Sequence, residues 1–198
     1  RQMCIRDRDY IGLSSSELHG RNFDQETSRS AVGQPIGSFF VYEADGLFQS
    51  DAEIQNYKND RGELLQPNAK PGDIRFKDLN GDGVINSDDR DFKGNPLPDC
   101  SMGLTLGFNY KNFDVSAFFQ GVFGNEVYNL TNYLGEFYNQ AQYNKNSTIL
   151  DAWRPDNTDT DIPRVTLDDP NNNIRPSTYY IHNASFVRLK NLKVGYTL

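Results

Sequence analysis

Residues 101–121 read SMGLTLGFNYKNFDVSAFFQG, and the folding of this stretch decides the architecture. Met102, Leu104, Leu106, Phe108 and Tyr110 occupy every second position, with Ser101, Gly103, Thr105, Gly107 and Asn109 between them. Side chains of a strand alternate between its two faces, so the pattern is a strand with one apolar and one polar face. Lys111 and Asn112 follow as a tight turn. Phe113, Val115, Ala117 and Phe119 then resume the alternation against Asp114, Ser116 and Gln120, and Phe118 breaks it. Each strand is about ten residues long, enough to cross a bilayer when tilted. Periodicity alone favours a soluble sandwich or barrel with one wet face. The polar face, however, is largely small and uncharged with repeated glycine, and aromatics stand at the ends of the apolar face. Those features suit the lumen and the interfacial girdles of a membrane barrel.

The final residues, SFVRLKNLKVGYTL, carry a second strand signal. Its apolar set shifts phase, from Val187 and Leu189 to Leu192, Val194, Tyr196 and Leu198, which predicts a bulge near Lys190 and Asn191. The chain stops in mid-strand, as a truncated chain would. Between hairpin and last strand lie roughly sixty residues, far more than a hairpin turn needs. They include LTNYLGEFYNQAQYN, where Leu130, Tyr133, Leu134, Phe137 and Tyr138 recur at helical spacing. Upstream, SFFVYEADGLF is dense in aromatic and β-branched residues and reads as a strand. SDAEIQNYKND fits a short capped helical turn, LLQPNAKPGD a loop, and DYIGLSSS a weak strand in a polar stretch.

Composition narrows the function classes. The formal net charge of -7 argues against a nucleic-acid surface, which would need a basic stripe. Aromatics at 13% argue against disorder and, with abundant Gly and Asn, point to β structure with long polar loops. No apolar run is long enough for a transmembrane helix, which leaves strands as the means of crossing a membrane. There is no signal-peptide pattern at the start. Cys4 and Cys100 have no Cys or His at zinc spacing.

Residues 78–89 read DLNGDGVINSDD and follow the spacing of a calcium loop. Asp78, Asn80 and Asp82 offer side-chain oxygens and Gly83 permits the sharp turn. Val84 would give its carbonyl, Asn86 would act through water, and Asp89 stands where an EF-hand has a bidentate Glu. Hard, clustered oxygens are what calcium selects, and a structural ion is expected. The competing reading is an Asx/Gly turn of solvated acids. Ile85 is expected to pack inward, with Asp88 and Asp91 solvated.

Tyr133, Phe137, Tyr138, Tyr143, Trp153 and Arg154 are candidates for substrate or lid contact, since sugars stack on aromatic rings. Alternatively these rings pack the loop onto itself. Catalysis has little support. His19 and His182 lack a nucleophile motif, and Asp168 with Asp169 is an ordinary adjacent pair in an Asn/Pro loop. The protein is expected not to be an enzyme.

VGQPIGSFFVYEADGLFQS, PGDIRFKDLNGDGVINSDDRDFKGNPLPD, GLTLGFNYKNFDVSAFFQGVFGNEVYN, IPRVT and RPSTYYIHNASFVRLKNLKVGYTL run in one order. Together they resemble the C-terminal part of SusC/RagA-type TonB-dependent outer-membrane transporters of Bacteroidetes. The resemblance implies an all-β fold: part of a transmembrane antiparallel barrel of about 22 strands with long extracellular loops. It further implies import of glycans, and sometimes peptides, in the Gram-negative outer membrane. A SusD-like lipoprotein would act as lid, and TonB would couple through an N-terminal region not present here. The plug, TonB box and last strands are likewise expected to lie outside the sequence. The opening RQMCIRDR differs in style from all that follows and reads as a sequencing or assembly scar. It is set aside with Cys4, leaving residues 9–198 as the receptor fragment. The main alternative is a secreted calcium-dependent carbohydrate-binding β-sandwich, centred on residues 78–89.

Overall fold

The computed structural model describes residues 17–22, 25–137 and 144–197. The readings of residues 1–8 as a scar, of DYIGLSSS as a strand and of Tyr138 and Tyr143 as contact residues lie outside them. The elements in chain order are β1 (Glu17–Asn22), β2 (Gln25–Ala31), β3 (Ser38–Tyr42), β4 (Ala44–Leu47), α1 (Asp51–Asn56), β5 (Ile74–Phe76), β6 (Arg90–Phe92), β7 (Cys100–Tyr110), β8 (Phe113–Phe123), β9 (Glu126–Tyr128), α2 (Leu130–Gly135), β10 (Ile181–Asn183) and β11 (Phe186–Tyr196). Among the described residues the named strands pair antiparallel, in sheets ordered β1-β2-β3-β6, β4-β5, β10-β9 and β11-β8-β7, and a parallel bridge joins Tyr42 to Ser177.

The hairpin forms as its alternation requires. Cys100 pairs with Phe123 and Tyr110 with Phe113, so Lys111 and Asn112 are the whole connection. Lys111 takes φ of 53°, a conformation that a two-residue turn demands and a Cβ resists. β11 pairs with β8, and its register shifts between Leu189 and Asn191. Lys190 is the extra residue. Because the side-chain period is two, that insertion returns Leu192, Val194 and Tyr196 to the face of Val187 and Leu189.

The remaining segments build a lobe beyond the far end of the hairpin. Its core is Leu47, Ile74, Phe76, Tyr133, Phe137, Trp153, Ile174 and Tyr180. Phe48, Ile54 and Ala69 form a smaller cluster under α1. Ser50 caps α1 by accepting the Glu53 N–H, as the sequence SDAE predicts. Backbone bonds continue the pairing past the strand ends: Asp99 N–H to Phe123 O at 2.9 Å and Ala184 N–H to Asn125 O at 2.9 Å.

Three expectations change. SFFVYEADGLF is two strands in different sheets, not one. The break falls at Glu43, where Tyr42 N–H turns to Pro176 O and Glu43 O accepts the Lys77 N–H. Gly46, at φ 75°, then allows the irregularity between Ala44 and Leu47. The helix at Leu130 ends at Gly135, although its apolar spacing runs further. The polar stretch near residue 20 forms the β1–β2 hairpin, which hydrophobic alternation does not reveal. The buried positions of β2 are Thr27 and Ser30, small polar residues in place of apolar ones.

Candidate functional site

The wall comes first, because its register is the most informative geometry. Met102, Leu104, Leu106, Phe108 and Tyr110 stand opposite Gly121, Phe119, Ala117, Val115 and Phe113. These in turn face Val187, Leu189, Leu192, Val194 and Tyr196. Directly paired residues share a face, so all of them line one continuous apolar surface. Most of the large ones are exposed, Leu106 at 53% and Phe108 at 64%, and among the described residues no second sheet covers them. Aromatic pairs close the surface at the turn end, with Phe113 and Tyr196 at 4.8 Å and Phe108 and Tyr110 stacked at 6.4 Å. The other face carries Asn109, Ser116, Gln120, Arg188 and Lys193. Arg188 donates there to Gln120 Oε1 at 3.2 Å. Phe118, the exception in the alternation, lays its ring over Gly103, where an added Cβ would meet it at 3.0 Å. The glycine makes room for the ring.

The loop at residues 78–89 is closed by its own hydrogen bonds. Asp78 accepts the Gly81 N–H at 2.7 Å and the Gly83 N–H at 2.8 Å. Asp82 accepts the Val84 N–H at 2.8 Å on one oxygen, and the amides of Asn80 and Asn86 at 3.1 Å on the other. The Val84 bond above all, and then the two amides, hold the Asp82 carboxyl below the usual carboxylate range. Asp89 is fully buried. It accepts Leu79 N–H at 2.9 Å, Asn80 N–H at 3.4 Å and Asn86 N–H at 2.8 Å, the last forming a capping box with Asn86. Asn59 donates to Gly83 O at 3.3 Å from outside the loop. Ile85 packs against the core, while Asp88 and Asp91 are exposed. As donors for a cation, Asp78, Asn80, Asp82 and Asn86 are of the right type. Among the described residues no three His, Cys, Asp or Glu side chains converge as a ready ligand set.

The candidate contact aromatics do not share one fate with Arg154. Tyr133, Phe137 and Trp153 are 7%, 6% and 8% exposed, in the lobe core. Tyr180, fully buried, gathers Tyr133 and Phe137 at 6.0 Å, with Tyr179 at 5.2 Å. Trp153 donates to Gln49 Oε1 at 2.9 Å and packs so close to Gly72 that a Cβ there would lie 2.5 Å from its ring. Their rings therefore pack the loop onto itself. Arg154 is exposed and reaches Leu150 O at 2.9 Å and Asp156 at 3.4 Å. Tyr179 donates to Glu136 Oε2 at 2.5 Å; burial first, and this bond second, push its hydroxyl well up. Lys145 donates to Leu134 O and Phe137 O, closing the end of α2, and burial lowers its ammonium. Beside it a cleft of about 650 Å³ is lined by Leu130, Leu134 and Asn144 among others.

Beneath these groups lies a buried polar network that no motif announced. Arg164 grips Asp73 with two hydrogen bonds, 2.6 and 3.1 Å. Asn173 donates to Asp73 at 2.9 Å and accepts the Ile74 N–H at 2.9 Å. Asn171 donates to Asn173 at 2.8 Å and Gln66 donates to Asn171 at 2.8 Å. Gln66 also accepts the Phe76 N–H at 2.8 Å. Asp169, one of the adjacent acids, caps Asn173 N and Ile174 N with its two oxygens. Asp168 is exposed, and His182 is exposed on β10. The signal for this network is the run of Asn near residue 172, whose amides both donate and accept.

No family model matches the chain. It is 37% identical over 194 residues to TonB-dependent receptor P3 of Formosa agariphila, covering 98% of the chain and 18% of that receptor. TonB-dependent receptor SusC of Bacteroides thetaiotaomicron is 28% identical, with 96% and 16% covered. The RagAB peptide importer in its closed-closed state superposes with a TM-score of 0.61 at 25% identity, over 94% of this chain and 18% of that one. The chain thus spans under a fifth of the length of the proteins it matches. The apolar wall, the short turn opposite a long loop lobe and this similarity along nearly its whole length agree. The chain belongs to the SusC/RagA-type TonB-dependent receptors of the outer membrane, as a stretch of barrel wall with its loops.

Proposed function

We propose that this chain forms part of the wall and outer loops of an importer of oligomeric nutrients, glycans first and peptides second. The observation that carries the reading is the three-strand wall, whose apolar face is uncovered among the described residues. Outer-membrane lipid is the solvent that suits such a face. The names of the relatives support energy coupling through TonB, by a region of the full-length protein outside this sequence. The similarity to the RagAB peptide importer supports peptides as the second substrate class. In this reading a SusD-like lipoprotein covers the loop lobe, and substrate is held between lobe and lid before passing inward. Transport needs no covalent step, so no residue is assigned a catalytic role. The secreted β-sandwich would need a second sheet on the face of Leu104 and Leu106.

The full-length protein is expected to require detergent and to show heat-modifiable mobility in gels. Full solubility without detergent would reject the wall. A strain lacking the gene should lose growth on an oligosaccharide. Loss on peptides instead assigns the second class, and unchanged growth on both rejects the importer.

Calcium is proposed as a structural ion of the 78–89 loop, held by Asp78, Asn80, Asp82, Asn86 and Asp89 with the Val84 carbonyl. It would balance the clustered negative charge and stiffen the loop. Asp82→Ala should lower calcium affinity in calorimetry on the full-length protein. No calcium heat in the intact protein rejects the ion and leaves the importer untouched.

A further inference from the structure

Asn80 and Gly81 form the sole Asn-Gly dipeptide of the sequence. This pairing has a chemistry of its own. The Gly81 backbone nitrogen, once it loses its proton, can attack the Asn80 side-chain carbon, Cγ. The bond from Cγ to Nδ2 breaks, the amide nitrogen leaves as ammonia, and a cyclic imide forms. Water then opens the imide at either carbonyl, giving an aspartyl or isoaspartyl residue. Glycine favours the attack because no Cβ hinders the approach and its backbone adapts to the ring. Both residues are exposed, so water and base reach them.

The closed loop occupies the groups that this reaction needs. The attacking nitrogen donates its hydrogen to Asp78 Oδ1 at 2.7 Å. Removing that proton would place an amide anion against a carboxylate. The Asn80 side chain is held at both ends: Oδ1 accepts the Asp82 N–H at 2.8 Å and Nδ2 donates to Asp82 Oδ2 at 3.1 Å. Rotation of Cγ toward Gly81 requires both bonds to break. We infer that Asn80 is a latent deamidation site guarded by the loop, so that its conversion records loop opening. The conversion is also one-way in effect. An aspartyl group at 80 removes the donor to Asp82 and sets a second carboxylate beside it. The isoaspartyl form lengthens the backbone by a carbon. Either product disfavours reclosure of a loop that joins β5 to β6.

The test is peptide mapping of the full-length protein in detergent, aged in mildly alkaline buffer with a calcium chelator so that the loop's own hydrogen bonds are the only guard, reading the mass gain of amide to acid at Asn80. The native protein should convert at least about tenfold more slowly than the same chain unfolded in urea, the factor one charge-assisted hydrogen bond supplies. Asp78→Ala frees the attacking nitrogen but leaves the Asn80 side chain bonded to Asp82, so it should raise the native rate above wild type while staying below the unfolded rate. Asn80→Gln should abolish the gain. Equal rates in native and unfolded chains would overturn the inference, and that comparison needs no variant. A wild-type rate in Asp78→Ala, or a gain that persists in Asn80→Gln, would overturn it too.

Discussion

Asp89 illustrates how one carboxylate can organise a loop. It is fully buried, and three backbone N–H groups from two parts of the loop converge on its two oxygens. Alanine there would take the carboxylate partner from all three donors, at a cost of about 1–3 kcal/mol in local stability. Hydrogen exchange should show the amides of Leu79 and Asn86 losing protection in Asp89→Ala, while β7 and β8 keep theirs. Glu43 tests charge at the same scale. Hydrogen bonds from Lys77 and then Lys93 hold its carboxyl below the usual range, and the two ammonium groups are raised in return. The carboxylate's contribution is therefore complete above its ordinary value of about 4.3 and disappears as pH falls through the lowered one. The lysines' contribution is complete below about 10.4 and disappears at higher pH. Exchange at the β4–β5 pair should thus separate Glu43→Gln from wild type at neutral pH. The two should merge at low pH, once Glu43 is protonated in the folded state.

At the scale of elements, the three wall strands make a prediction that depends on which face a residue takes. Leu106 lies near the middle of β7 on the apolar surface, opposite Ala117, and Thr105 lies next to it on the other face. In a bilayer, Leu106→Arg should cost about 2–4 kcal/mol, whereas Thr105→Arg should cost far less. Denaturant unfolding of the full-length protein in lipid vesicles measures both, and equal costs would show that the apolar face does not meet lipid. These strands were also the legible part of the sequence. A period of two broken by Phe118, and one phase shift that placed the bulge near Lys190 and Asn191, marked out the two faces. The lobe was less legible for identifiable reasons. In β2 the inward positions are Thr27 and Ser30, so burial leaves no apolar trace. SFFVYEADGLF looks continuous because only a distant partner, Pro176, redirects Tyr42. Helical spacing aligned Tyr133 with Phe137, but spacing does not say whether an aromatic face meets a ligand or Tyr180.

Across the whole molecule, the lobe holds together through polar links between segments far apart in sequence. Asp73 and Arg164 are separated by 91 positions, and Ile74 and Asn173 by 99. The same segments also meet in the apolar core, where Ile74 and Phe76 cluster with Trp153 and Ile174. Asp73 is fully buried in this ion pair and Arg164 is 19% exposed, which makes the pair sensitive to loss of one member. Removing the guanidinium alone leaves Asp73 with Asn173 and the Lys70 N–H as its remaining donors. Breaking a buried pair from one side costs about 3–5 kcal/mol, because a charge stays behind in a dry site. Arg164→Met keeps much of the side-chain volume and removes the charge, so it isolates that cost from cavity formation. The expected result is lost protection at Ile74, Asn173 and Ile174 together, since all three amides bond within the network or to Asp169 beside it. The wall should keep its protection, because its ladder shares no hydrogen bond with Arg164. If Ile74 exchanges alone while Asn173 and Ile174 stay protected, the two segments are held by the apolar core instead. If β8 loosens as well, lobe and wall behave as one cooperative unit.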